Sequence, residues 1–552
     1  MLDLNGNPAT RFDPDQKVWS GCSLQSFYNE DLTVGQIIFR QLQRQPQRIF
    51  QISHTDNSRL TRYQMLQNAT KIGCYLRDKC FKKETDLVGL MARNSTHVAA
   101  VAYGCLFNGT PFHAVNPSLE HNTIASLYKI TRPRILCCDV ADYEKIKDIG
   151  ASLEALIITV NGKLPGVMSV ADLLQTPLPD DYEPAQFQRG VDRTMAILCS
   201  SGTTGTPKAV TLSNSRKLFE MHSYLGPDDV QYAPSTLDWL TGLITLVTAA
   251  VFGTVRLISS EIFSTAHFLD LCEQHEVSWT IMANSHVAML ANCPKTNAQK
   301  LRSLRHLLFA GGHCLVTTLK KMQSFLHGSG ILRNAYGLTE VGTLISYNYD
   351  TQSKPASVGR LLANIRVKVV DSSGQLQGPK GLGEILCHNG QLWSGYVGNS
   401  QATAEMRDSA GWYHTGDVGY FDEDNYLHIV ERKKDMLKYL GMMYYPHEVE
   451  EVIAQMPDVA EVCVFGIFRE MEGDAAAASV VLRSGSKLEP RHVEQYVRKN
   501  ISVQFKHLHG GVQFVPQLAK SANGKVNRQA VKAAYLKDAT QSKDQFTITT
   551  NN

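Results

Sequence analysis

One short segment of the chain combines a predicted strand with a loop suited to holding phosphate groups. Residues 195–199 (MAILC) form an apolar run that predicts a buried strand. The run leads into residues 200–208 (SSGTTGTPK), which contain hydroxyls, two glycines, a proline and one lysine. Glycines let the backbone approach a ligand closely, hydroxyls and free N–H groups donate hydrogen bonds, and Lys208 adds a positive charge. A polyphosphate needs this combination.

Residues 200–208 have two other interpretations. The Walker P-loop is excluded because it requires Gly-Lys-Ser/Thr, whereas Pro207 directly precedes Lys208 here. A flexible Ser/Thr/Gly linker has the same composition, and composition alone does not separate it from a phosphate-binding loop. The order of the residues is needed to distinguish a linker from a phosphate-binding loop.

The overall composition is typical of a soluble globular protein with several cores. The 552 residues are 43% hydrophobic and 19% charged. The 55 basic and 52 acidic residues give a formal charge of +3, which provides no electrostatic case for nucleic-acid binding. Twelve cysteines without a CxxC pair fit a reducing compartment, rather than a disulfide framework or a zinc site built from them.

The termini and the longest apolar stretch bear on localisation. Residues 1–16 lack the apolar core of a signal peptide, and the C-terminal ITTNN is not an SKL-type peroxisomal signal. Residues 237–257 are apolar but are interrupted by polar side chains and glycines, so they predict a buried helix followed by a strand rather than a membrane span. We therefore expect a cytoplasmic protein without an integral membrane segment.

Helical and strand patterns alternate along most of the chain, which predicts an α/β fold. Helices are expected over 61–80 and 96–108, and strands over 87–91, 110–115, 134–138 and 155–160. A second set begins with a strand over 426–430 and continues with a helix from Pro446, strands over 462–467 and 477–482, and a helix over 490–499.

The two sets meet at a run of charged residues, 431–435 (ERKKD). Such a run is often a solvated face, but its position also suits a domain boundary. We predict an N-terminal domain over 1–431, a hinge over 432–435, a C-terminal domain over 436–540 and a disordered tail over 541–552.

The string at 200–208 resembles the phosphate loop of the adenylate-forming superfamily, which includes acyl-CoA synthetases, beetle luciferases, coumarate ligases and peptide-synthetase adenylation domains. Further segments match that superfamily in the right order: FAGG (309–312), NAYGLTE (334–340), GWYHTGD (411–417), ERKKD (431–435), KYLG (438–441) and SANGKVNR (521–528). The resemblance spans roughly residues 35 to 535. It implies a large N-terminal domain of α/β subdomains with a β-barrel-like part, and a small mobile α+β C-terminal domain.

The resemblance also assigns roles to individual residues. Its implied cofactors and substrates are ATP, Mg²⁺, CoA and a small carboxylic acid. Lys525 would be the adenylation lysine, Thr339 would contact phosphate, and Glu340 would hold Mg²⁺. The expected nucleotide and CoA contacts are Ser200, Ser201, Gly202, Thr203, Thr204, Gly205, Lys208, Gly311, Gly312, Tyr336, Gly337, Asp417, Arg432, Lys438 and Gly441. The expected substrate-pocket residues are Trp239, His313 and Thr343.

The implied reaction joins the acid to AMP with release of pyrophosphate and then transfers the acyl group to CoA, with the C-terminal domain turning between the steps. In length and spacing the chain looks most similar to beetle luciferases and insect fatty acyl-CoA synthetases, and a medium- to long-chain fatty acid is the expected substrate. Trp239 stands where luciferases and coumarate ligases carry a histidine. It would wall an acyl pocket or simply pack in the core. A luciferase-like oxygenase and a nucleotide-binding pseudoenzyme are the alternatives.

Overall fold

A computed structural model describes residues 9–79, 86–179, 181–200, 207–312, 314, 316–328, 330–440, 442–520 and 524–547. Strands β1 to β14 span, in order, Arg11–Asp13, Val18–Ser20, Ile49–Ser53, Arg59–Thr61, Val88–Met91, Phe112–Ala114, Ile135–Cys138, Leu156–Thr159, Met168–Ser169, Thr194–Ser200, Lys208–Ser213, Val230–Tyr232, Val255–Ile258 and Trp279–Ala283. Strands β15 to β27 span His306–Ala310, Ile331–Leu338, Thr343–Tyr347, Arg360–Leu361, Arg366–Val370, Gly383–His388, Tyr413–Phe421, Leu427–Arg432, Leu437–Tyr439, Met442–Tyr444, Val459–Arg469, Gly473–Leu482 and Gly511–Phe514.

Helices α1 to α14 span, in order, Val34–Leu42, Arg62–Lys79, Val98–Asn108, His121–Thr131, Tyr143–Leu153, Val170–Leu173, Leu240–Phe252, Thr265–His275, Asn284–Asn292, Val316–Phe325, Ser400–Met406, Pro446–Ile453, Pro490–Asn500 and Arg528–Thr547. Short 3-10 turns at Thr339–Val341 and Lys433–Asp435 matter for the site described below.

Within the described residues the strands form four sheets. A seven-stranded sheet has the order β11-β10-β6-β5-β7-β8-β9, and a nine-stranded sheet has the order β18-β17-β16-β15-β14-β12-β13-β3-β4. The central strands of each of these two sheets are parallel. Parallel strands are buried on both faces, and their sequences are therefore apolar runs such as Val88–Met91. Where a barrel-like part is expected, the structure has an antiparallel sheet with the order β1-β2-β19-β20-β21-β22. The α/β class is confirmed.

The largest core lies between the seven-stranded sheet and the helices α1, α2, α3 and α7. Helix α3 is built from small and apolar residues, and ten of its residues are buried. It ends at Gly109, which adopts the left-handed conformation (φ 68°) that glycine tolerates at a helix C-terminus. The apolar stretch 237–257 forms buried α7 followed by β13, as its interruptions predict.

The fourth sheet, β24-β23-β26-β25 with β27 beside β26, begins after the predicted hinge at 432–435. Helices α12 and α13 pack with it around a separate core, and both begin with a proline in the first turn. The helices and strands expected here are confirmed. Helix α14 continues to Thr547, into the segment 541–552 for which the sequence predicts a disordered tail, and that disorder stays a prediction. That segment contains no glycine or proline to end the helix.

Among the described residues, no helix combines the length and the apolar character needed to cross a bilayer. The carboxyl ends of β14, β15 and β16 lie side by side in parallel pairing. Ligands of open α/β sheets bind at this edge. The predicted site residues that follow these strands are therefore brought to one place by the topology.

Candidate active site

The predicted phosphate loop connects two antiparallel strands. Ser200 at the end of β10 is the cross-strand partner of Lys208 at the start of β11. The loop therefore begins and ends at one point of the sheet. Its predicted contacts Ser201, Gly202, Thr203, Thr204 and Gly205 lie outside the described residues.

Lys525 lies against the glycines that follow β15. A Cβ placed on Gly311 would lie 2.7 Å from the Lys525 Nζ, and Gly311 has a φ of +99°. A side chain at Gly311 is therefore opposed both by the backbone conformation and by the lysine. Gly312 differs, since a Cβ there would meet only the Asn284 side chain at 4.0 Å. The structure thus brings a residue of the C-terminal segment into the N-terminal sheet edge.

The loop that carries Lys525 docks on helix α9. A Cβ on Gly524 would lie 2.7 Å from the Ser285 Oγ and 3.3 Å from the His286 Nε2, and Gly524 also has a positive φ of +78°. Only a residue without a side chain allows this approach. The close approach of this loop to α9 therefore explains why residue 524, immediately before Lys525, is a glycine.

Three predicted nucleotide contacts form one group around the buried carboxylate of Asp417. The Tyr336 hydroxyl donates to the Asp417 Oδ2 at 2.6 Å, and the Arg432 Nε lies 2.8 Å from the Asp417 Oδ1. Burial raises the pKa of Asp417, although Arg432, Tyr336 and Lys525 all favour its charged form. Each carboxylate oxygen has a second lone pair, so Asp417 can still accept from a ligand hydroxyl. Asp417 lies on β21 and Arg432 is its partner on β22.

Lys525 shares the electrostatics of this group. Its side chain is exposed, but its Nζ lies close to Gly311 and within the electrostatic influence of Arg432 and Asp417. The cost of desolvating the ammonium, with Arg432 nearby, lowers the pKa of Lys525 to about 8, and Asp417 partly opposes this. The ammonium is therefore held close to its titration point at neutral pH.

Glu340 stands in the turn that follows β16, and its Oε1 accepts a hydrogen bond from the Tyr396 hydroxyl at 2.8 Å. The Lys208 Nζ lies 4.9 Å from the centre of the Tyr396 ring, within cation–π range. The end of the predicted phosphate loop and the predicted Mg²⁺ ligand are thus linked through one tyrosine.

The other predicted site residues in the YGLTE segment (336–340), and Thr343 just after it, have mainly structural contacts. Gly337 sits at a bulge between β16 and β17, where a Cβ would lie 2.8 Å from the carbonyl oxygen of Thr343. The half-buried Thr339 opens the turn that carries Glu340. Thr343, a predicted pocket residue, is 1% exposed and donates its hydroxyl to the Lys217 carbonyl at 2.9 Å.

The remaining predicted residues are placed less centrally. Trp239 is half-buried and immediately precedes helix α7. Lys438 is exposed on β23, and its side chain takes no part in the contacts described above. His313 and Gly441 lie outside the described residues.

A cross-hinge ion pair was missed by the sequence reasoning. The Arg528 Nη2 lies 3.2 Å from the Glu431 Oε2, and Arg528 also pairs with Glu450 on α12. Glu431 belongs to β22, whereas Arg528 begins α14. Burial raises the pKa of Glu431 to about 7, and Arg528 opposes that rise. This pair links β22 to the start of α14, three residues after Lys525.

Tyr396 was also missed, because no motif marks it. Its only sequence signal is an aromatic residue next to Gly395, in the segment WSGYVG (393–398). A bridge between Tyr396 and Val210, together with hydrogen bonds from Thr211 to the Gly395 carbonyl and from the Trp393 indole to the Thr211 carbonyl, holds that segment against β11. These long-range contacts cannot be read from local sequence.

These side chains are suited to an anionic ligand that carries hydroxyls. Lys208, Lys525 and Arg432 supply positive charge, and Asp417 can accept hydrogen bonds from a sugar. Glu340 adds an oxygen ligand for a hard cation. The donor set fits a nucleotide with its phosphates directed towards the lysines.

The chain is similar in sequence to known protein families. A family model described as AMP-binding enzyme matches residues 38–397, and one described as AMP-binding enzyme C-terminal domain matches residues 448–525. The chain is 26% identical to a luciferin 4-monooxygenase of Photuris pensylvanica over 85% of this chain and 89% of that protein. It is also 26% identical to a probable 4-coumarate–CoA ligase of Dictyostelium discoideum over 90% of this chain and 94% of that protein.

The fold is also similar to solved structures. The ATP-bound MatB from Rhodopseudomonas palustris superposes with a TM-score of 0.82, at 21% identity, over 91% of this chain and 99% of that one. The first family model alone matches more than half of the chain. The chain therefore belongs to the AMP-binding enzymes of the adenylate-forming superfamily.

Proposed function

We propose that this enzyme is an ATP-dependent ligase that converts a carboxylic acid to its acyl-AMP, releases pyrophosphate, and then forms acyl-CoA with release of AMP. The observation that best supports the proposal is the position of Lys525 beside Gly311, in the same cluster as Asp417 and Arg432. A cation from the C-terminal segment then faces the place where the nucleotide would bind.

The first step needs positive charge more than it needs a protein nucleophile. The substrate carboxylate attacks the α-phosphorus of ATP, so that one anion approaches another and the bond to pyrophosphate breaks. Lys525 and Lys208 would neutralise the charge that develops. One such preorganised group contributes on the order of 3–4 kcal/mol to lowering the barrier.

Glu340 fits the role of a Mg²⁺ ligand. Its carboxylate is half-buried, and the Tyr396 hydroxyl donates a hydrogen bond to one of its two oxygens, Oε1. Magnesium is bound in proteins by one or two carboxylates together with water and substrate phosphates. Bound there, it would supply charge neutralisation at the phosphates.

The second step uses the good leaving group made in the first. The CoA thiolate attacks the acyl carbon, and AMP leaves. For this step we infer that the C-terminal domain turns about the hinge at 432–435, withdraws Lys525, and presents the strand with Lys438 and Gly441. The Arg528–Glu431 pair would have to break during this turn.

We infer that the acid is a medium- to long-chain fatty acid. Trp239 stands at the start of α7, a helix whose residues are almost all apolar or threonine. An indole in that place offers an apolar wall instead of the polar histidine found in luciferases and coumarate ligases. An alkyl chain gains roughly 0.8 kcal/mol for each methylene buried against such a wall.

ATP–pyrophosphate exchange with a panel of acids tests the proposal. The panel should contain fatty acids of graded length, coumarate, luciferin and short polar acids. We expect exchange to rise with chain length, and acyl-CoA to appear when CoA is added. Exchange with coumarate alone would disprove the fatty-acid assignment. Light with luciferin would favour the oxygenase, and ATP binding without any exchange would favour a pseudoenzyme.

A further inference from the structure

A group of histidines and one glutamate lies at the far end of the nine-stranded sheet. His54 directly follows β3, and Glu261 lies in the loop that follows β13. These two parallel strands pair with Ser53 opposite Ile258, so their carboxyl ends meet at one edge. His267 lies in the first turn of α8, immediately after that loop. Two regions distant in sequence, one with His54 and the other with Glu261 and His267, thus bring three metal-binding side chains together.

The donor atoms of this group lie close to one another. His54, Glu261 and His267 each offer one ligand atom, and these atoms all lie within 4.8 Å of one another. Among the described residues, no other set of three histidine, cysteine, aspartate or glutamate side chains meets this condition. The His267 Nδ1 lies 3.3 Å from the Glu261 Oε2.

That separation fits two ligands of one metal ion. Charge-assisted hydrogen bonds are usually about 2.7–2.9 Å long, which is shorter than the observed 3.3 Å. Two donors bound at about 2.0–2.1 Å on a tetrahedral Zn²⁺ lie about 3.3–3.4 Å apart. The His267–Glu261 pair therefore has the spacing of an edge of such a tetrahedron.

Both histidines are also oriented by outer partners. The His267 Nε2 lies 3.0 Å from the Ser259 Oγ, and the His54 Nδ1 lies 3.1 Å from the Nε2 of His275. Metal-binding histidines characteristically use their second ring nitrogen in this way, which fixes the tautomer and the direction of the ring. Each imidazole is therefore left with one nitrogen for an ion.

We propose that His54, Glu261 and His267 bind Zn²⁺, with water completing the coordination. Two imidazoles and one carboxylate form a donor set that Zn²⁺ accepts readily. Glu261 is 57% exposed, so solvent can reach the open side. The site is distinct from the proposed Mg²⁺ ligand Glu340, which follows β16 on the other side of the sheet centre.

The full-length chain, stripped of metal with a chelator and free of nucleotide, provides the test. Zn²⁺ affinity is measured by competition with a chromophoric chelator, and Co²⁺ is titrated as a spectroscopic probe. We expect one metal per chain, with the visible absorption of tetrahedral Co²⁺ and without a thiolate charge-transfer band. Such a band would instead place the metal on cysteines and overturn the proposal.

Variants separate this site from adventitious binding. Glu261→Gln and His267→Ala should each weaken Zn²⁺ binding by more than about 100-fold, beyond the 10- to 100-fold typical of outer-shell changes. His327→Ala, at another exposed histidine, should bind as the parent does. Because Glu261 is mostly exposed, Glu261→Gln should fold normally even if His267→Ala does not. Undiminished binding by Glu261→Gln, or the absence of one-to-one binding by the parent, would overturn the proposal.

Discussion

The Nζ of Lys525 lies 2.7 Å from the position that a Cβ would take on Gly311. This contact joins the C-terminal segment to the carboxyl end of β15 and leaves no room for a side chain between them. It defines the closed arrangement on which the proposed first step depends.

Gly311→Ala should therefore impair adenylate formation. The added methyl displaces the Lys525 side chain and must also adopt a φ of +99°, which costs on the order of 1–3 kcal/mol. We expect a fall of about 10- to 100-fold in pyrophosphate exchange. Gly312→Ala is the matched comparison, because its Cβ meets only the Asn284 side chain at 4.0 Å. An equal or larger effect at Gly312 would argue against the steric explanation.

Tyr396→Phe isolates the hydrogen bond to Glu340. The ring beneath Lys208 is kept, while the hydroxyl that donates to the Glu340 Oε1 is lost. A hydrogen bond to a charged group is worth about 1.5–3 kcal/mol. We therefore expect exchange to fall about 10- to 100-fold and to require more Mg²⁺. Tyr63→Phe, on the exposed face of α2, is the control. An unchanged Mg²⁺ dependence would remove Tyr396 from the account.

Asp417→Ala should raise the KM for ATP much more than the KM for the acid. The ribose would be held by the same carboxylate whatever acid is bound, and loss of its hydrogen bonds to this charged acceptor costs about 1.5–3 kcal/mol. Asp417→Asn keeps the shape beside Tyr336 and Arg432 and guards against a packing effect. If the KM for ATP stays the same in both variants, Asp417 does not bind the nucleotide.

The pKa of Lys525 predicts a pH dependence. Burial lowers this pKa to about 8, and only the protonated form carries the charge that the first step needs. The kcat/KM for adenylate formation should therefore fall as pH rises above about 8. Lys525→Arg should abolish this fall, even if its plateau is lower, because the guanidinium remains charged. A descending limb at the same pH in Lys525→Arg would assign it to another group.

Local sequence predicted the elements well where their patterns were strong. The strand at 195–199, the helix and strand within 237–257, and the helix that begins at Pro446 all appear. Each is specified by neighbouring residues: an apolar run, a small-residue helix, or a proline in the first turn. Residues 541–547 continue helix α14, and the disorder predicted for the tail 541–552 stays a prediction.

The site was predictable only where residues cluster in motifs. Asp417, Tyr336 and Arg432 come from three such motifs, and they meet because β21 pairs with β22 and Tyr336 reaches across from β16. Tyr396 and the Arg528–Glu431 pair depend on contacts between distant segments. Glu431 and Arg528 stand in the strings ERKKD and SANGKVNR, but neither string indicates that the two side chains meet. Thr343 was expected in the pocket, but its hydroxyl is engaged by the backbone of Lys217.

The rates of the two half-reactions, measured separately in the Lys525→Ala variant, test the central claim most directly. Adenylate formation from acid and ATP should fall by roughly 100- to 1000-fold, the usual effect of removing one preorganised donor. Thioester formation from supplied acyl-AMP and CoA should stay near the rate of the parent enzyme, because the lysine is withdrawn in that step. An equal loss of both half-reactions, or an undiminished first one, would contradict the account.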